Sequence, residues 1–230
     1  MNPTADISNL ANEALSLVRP KLLGARFNDY RNTPLFWHAK DVAKLLIDEF
    51  GCNDAAAIVA AVMADVNYQP CMDHINCKDL NNWRLHNELN FTFGENAADA
   101  WCQLTTITAS EHNNEICDCL MHKNYCSKET HEEQCNDDNC VLERMVRKAS
   151  LMTVSAKIAL LAWFILMARK VTGQGRPVDM FWPDVKQYLG KIAIIAEAMV
   201  KNDREKNKLM ISMVEEIRKI VKIPQRRYTA

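Results

Sequence analysis

Turn-forming residues are scarce in this chain. Only 6 glycines and 7 prolines punctuate 230 residues, which argues against a fold of many short strands and tight hairpins and favours long helices. No segment alternates cleanly between apolar and polar residues, the pattern a half-buried strand would show. The longest apolar run, "IALLAWFILMA" at 158–168, stops well short of the roughly 20 residues a membrane-spanning helix needs. Charge of one sign is also missing. The formal net charge of -1 gives no general attraction for nucleic acid or an anionic membrane. The first residues, "MNPTADISNLANEAL", carry acids where a secretion signal would be basic and then apolar. The expectation is a soluble intracellular protein with no membrane span and no nucleic-acid partner.

What the chain does have is helical periodicity. With 48% hydrophobic and 25% charged residues, its composition is that of an ordinary globular protein, and its length suffices for one sizeable core. Ile7, Leu10, Ala14, Leu17 and Val18 predict a helix over 5–23. Val42, Leu45, Leu46 and Phe50 predict another over 35–50, stopped by Gly51. Asn53 or Asp54 can cap a third over 55–67, apolar nearly all round and therefore central. Residues 70–93 are polar and read as loop with a short helix, and 94–107 as a helix. Helix returns over 141–171 with a break near Thr153, and "TGQGRP" at 172–177 is a loop. Two helices close the chain over 182–202 and 203–222, the last with Leu209, Met213, Ile217 and Ile220 on one face. The expected fold is all-α, one domain over 1–230 with a Cys-rich excursion at 110–140.

Cysteine is abundant: nine residues, an odd number. Five fall within "CDCLMHKNYCSKETHEEQCNDDNC", which brings together Cys117, Cys119, His122, Cys126, His131, Cys135 and Cys140. Zinc prefers four sulfur or nitrogen ligands and can order a loop that has no core of its own. The spacing matches no standard finger. Zinc, disulfides and free thiols all stay open.

Two further segments carry chemistry. "NTPLFWHAKDVAKLL" (32–46) places His38 at the start of a helix, and "AAIVAAVMADVNYQ" (56–69) ends an apolar helix with Asp65. Alone, His38 suits a satisfied core or cap histidine and Asp65 a helix terminator. In order along the chain, however, these segments, "SAKIALLAWFILMAR" (155–169) and the closing helices resemble the RelA/SpoT-type hydrolase domain. The likeness is greatest to the small alarmone hydrolases related to animal ppGpp/NADPH phosphatases. The family patterns are "TPY-x-x-H-P-x-x-VA-x-xL", "AALLHDxxED" and "GAKLVKLADKLYNLR". The resemblance implies an HD-type helical domain, in which a His, a His-Asp pair and a distant Asp hold a divalent cation that activates water.

Carried onto this sequence, most of that chemistry is missing. His38 falls on the first ligand and Asp65 on the acid of the pair, but Ala64 stands where the paired His belongs. Tyr68 and Gln69 replace the Glu-Asp that serves water activation, Trp163 replaces the distant Asp, and Met167 an Asn that contacts nucleotide. The resemblance therefore implies a pseudoenzyme with a relic site and no cofactor there, kept as a structural or protein-interaction subunit of a larger assembly. The expected partner surfaces are the Cys-rich excursion and the polar 70–93 segment. One alternative is a module that still binds nucleotide without hydrolysing it. Another is an active phosphohydrolase with ligands rebuilt from His74, His86 or the Cys cluster.

Overall fold

A computed structural model describes residues 3–25, 34–68, 75–112, 138–172, 185–201 and 207–222. Among these residues the protein is all-α, with no β-strand element. The helices are α1 (Pro3–Lys21), α2 (Leu35–Lys44), α3 (Ala55–Met63), α4 (Ile75–Phe93), α5 (Glu95–His112), α6 (Asp138–Leu151), α7 (Val154–Val171), α8 (Val185–Lys201) and α9 (Lys208–Lys222). A π-helical turn, Leu45–Glu49, extends α2, and a 3₁₀ turn, Ala64–Tyr68, extends α3.

α3 and α7 form the centre because their sequences have no polar face to turn outward. Every residue of α3 from Ala56 to Met63 is buried, as is almost all of α7 from Ala156 to Ala168. α3 packs against α7, α5 and α1, while α7 also meets α5 and α9. α8 lies between α6 and α9. The buried side chains join into one cluster that runs from Ala11 in α1 to Ile220 in α9.

Capping fixes where the two central helices begin. The Asp54 carboxylate accepts from the Ala57 amide at 3.0 Å through one oxygen and from the Ser155 hydroxyl at 2.7 Å through the other. One side chain thus satisfies an orphan donor of α3 and pins the start of α7 beside it. Thr153, which caps α7, donates its own amide to the Gln103 side chain of α5 at 2.8 Å. The break expected near Thr153 is this junction between α6 and α7.

The expected "loop with a short helix" over 70–93 is wrong for most of its length, because α4 is a continuous 19-residue helix over Ile75–Phe93. Among the residues of α4 whose burial is described, Leu85 and Leu89 are buried one turn apart and Phe93 packs against the core. Two polar links join it to its neighbours: Glu88 pairs with Lys21 of α1 at 2.7 Å and His86 with Asp99 of α5 at 3.0 Å. Gly94, at φ +89°, turns the chain from α4 into α5 in a backbone region that favours glycine. α5 runs to His112, past the expected end at 107, so the first residues of the expected excursion are helical. Its other end, 138–140, opens α6. Cys117, Cys119, His122, Cys126, His131 and Cys135 lie outside the described residues, as does His74. Cys52 is buried and Cys102 exposed, both as free thiols.

Candidate functional site

Three mutually packed elements meet at His38, Asp65 and Trp163. α2 must bury the face that carries Leu35, Ala39 and Val42, and His38 lies on that face, fully inaccessible. α3 is followed directly by its 3₁₀ turn, which carries Asp65 as its second residue. Asp65 is 5% exposed. Trp163, in the middle of α7, is 2% exposed.

Each carboxylate oxygen of Asp65 has one nitrogen partner. His38 Nδ1 lies 2.8 Å from Asp65 Oδ2, and Trp163 Nε1 donates to Asp65 Oδ1 at 3.2 Å. The His38 and Trp163 rings meet edge to face, with centroids 6.1 Å apart and planes at 65°. On its other side Trp163 meets Phe164 in a similar arrangement at 6.0 Å. Behind the pair, Trp101 of α5 donates its indole N–H to the Met63 carbonyl at 3.1 Å. That carbonyl stands at the end of α3, where helical acceptors lack an intrahelical donor.

The electrostatics favour a neutral imidazole beside a charged carboxylate. Burial is the largest influence on His38 and pushes its pKa down. Asp65 and the more remote Asp41 pull it up and Lys170 adds to the fall, leaving a net lowering. For Asp65, burial pushes upward, but it is outweighed. The nearby His38, the N–H groups of His38 and Trp163, and Lys170 together hold the carboxyl below its ordinary range. A carboxylate only accepts, so the His38 tautomer that suits this pair carries its proton on Nδ1. Lys170, itself 5% exposed, lies seven residues after Trp163, and hence on the same face of α7 two turns later.

The described residues here do not by themselves make up a divalent-cation site. Protein-held metal sites draw on three or more imidazole, thiolate or carboxylate ligands. Ala64 offers no ligand, and the Trp163 indole presents an N–H to Asp65, with no lone pair to give a metal. Among the described residues, no three His, Cys, Asp or Glu side chains stand close enough to hold a metal ion. Met167 is buried at 1% exposure. Tyr68 ends the 3₁₀ turn, and Gln69 lies outside the described residues. His86, named as a replacement ligand, is engaged by Asp99 at the α4–α5 surface. Cys140 falls in α6.

Two contributors to the site were not foreseen. Lys170 had a signal, since a basic residue two turns after Trp163 shares its buried face. Trp101 had none, because its partner is a backbone carbonyl 38 positions away. An open groove of about 470 Å³ lies elsewhere, between α8 and α9, lined by Ile194, Glu197, Lys201, Ile211 and Arg218 among others. No described helix is long and apolar enough to cross a membrane. Comparison of the chain with known protein families and with curated proteins finds no match.

Proposed function

We propose that this chain is a catalytically inactive relative of the HD-type phosphohydrolases, retained as a structural or protein-interaction subunit. The observation that carries the proposal is the closed contact of His38, Asp65 and Trp163. Metal-assisted hydrolysis needs an open coordination position for water and a route by which substrate reaches it. Here the carboxylate accepts from two protein N–H groups, and the three residues are at most 5% exposed. Trp is large enough to bury ~150–250 Å², so its indole fills the space a substrate phosphate would need. The four-segment resemblance supports the ancestry, and the presence of Ala64 and Trp163 where that family has metal ligands supports the inactivity.

Two measurements test the proposal. Purified protein incubated with Mn²⁺ and ppGpp, or with NADPH, is expected to release no product above a buffer control. Manganese-dependent turnover that disappears in His38→Ala would overturn the inactivity. For the interaction role, the chain isolated from its native source is expected to elute in a complex larger than its own 26.3 kDa with a reproducible stoichiometry. Elution as a bare monomer at native concentration would remove the subunit assignment.

A further inference from the structure

We draw no further inference here: the strongest candidate, the surface patch of exposed Leu23, Trp37 and Phe91 near the C-terminal end of α1, carries nothing because nothing in the structure shows what covers it.

Discussion

Trp163 and Asp65, 98 positions apart in the chain, are joined by an indole N–H···carboxylate hydrogen bond of 3.2 Å inside the core. The bond gives a buried charge one of the donors it needs, and His38 gives the other. Removing either donor leaves a buried carboxylate oxygen short of a partner, and an unsatisfied buried group costs about 1–3 kcal/mol.

Trp163→Phe should therefore destabilise the protein by about 1–3 kcal/mol, from the lost donor together with the smaller ring. Asp65→Ala should cost at least as much, and the two changes together should cost less than their sum, because both remove the same contact. Urea unfolding of the two single variants and the double variant measures this. Strict additivity would show that the bond contributes nothing.

Acid should weaken the fold in two stages. His38 has a folded pKa below its unfolded value of about 6.5, so below that pH the unfolded chain binds a proton the native state refuses. Stability then falls as pH falls, by about 1.4 kcal/mol per pH unit for one such proton. Asp65 is also depressed, and its contribution is present above about 3.9 and lost as pH falls through its folded pKa. Thermal melts between pH 7.5 and 5 should show the first stage, and His38→Gln should flatten it. A wild-type curve already flat from 7.5 to 5 would contradict a buried neutral imidazole.

Arg169 ties three elements at the far end of α7. It meets both carboxylate oxygens of Glu49 in the π-turn, at 3.0 and 2.8 Å, and Glu216 of α9 at 2.8 Å. Burial opposes its charge, but the two glutamates more than compensate and raise its pKa. The cluster is partly solvated, so Arg169→Ala should cost only about 1 kcal/mol, and less in high salt. Lys should not restore the loss, since it lacks the planar fork that engages two carboxylates. Chemical denaturation of both variants by urea at low and high salt tests this, and full rescue by Lys would argue against the fork geometry.

The parts of this architecture that could be read from the residues are those where composition leaves one solution. "AAIVAAVM" and "IALLAWFILMA" have no polar face, so they had to become the buried helices α3 and α7. α4 was misread because its sequence is mostly polar, and two of its attachments are ion pairs with partners 67 and 13 positions away. The π-turn after α2 and the 3₁₀ turn after α3 were invisible for a different reason. They are choices of backbone hydrogen-bond register, which apolar spacing does not report. The contact between His38 and Asp65 was accessible only through the family resemblance, which aligned two residues 27 positions apart. Lys170 was hidden by the bland expectation that a lysine near a helix end is solvated.

A divalent cation should leave the stability of the protein unchanged. Any ligand that binds only the native state raises stability with concentration, by about 2.7 kcal/mol at a hundredfold excess over its dissociation constant. A functional two-ligand or three-ligand site would therefore announce itself in millimolar Mn²⁺ as a clear rise in melting temperature. At the Asp65 site the cation would have to displace N–H groups from the carboxylate and find further ligands where Ala64 and Trp163 stand. Each step costs energy, and the lone imidazole–carboxylate pair returns too little to offset it. Melts with Mn²⁺, and with EDTA added to freshly isolated protein, should coincide within error. A manganese-dependent rise that is lost in both His38→Ala and Asp65→Asn would place a working metal site where the residues argue against one. A rise that survives both substitutions would locate the cation elsewhere and leave the closed contact between Asp65 and Trp163 intact.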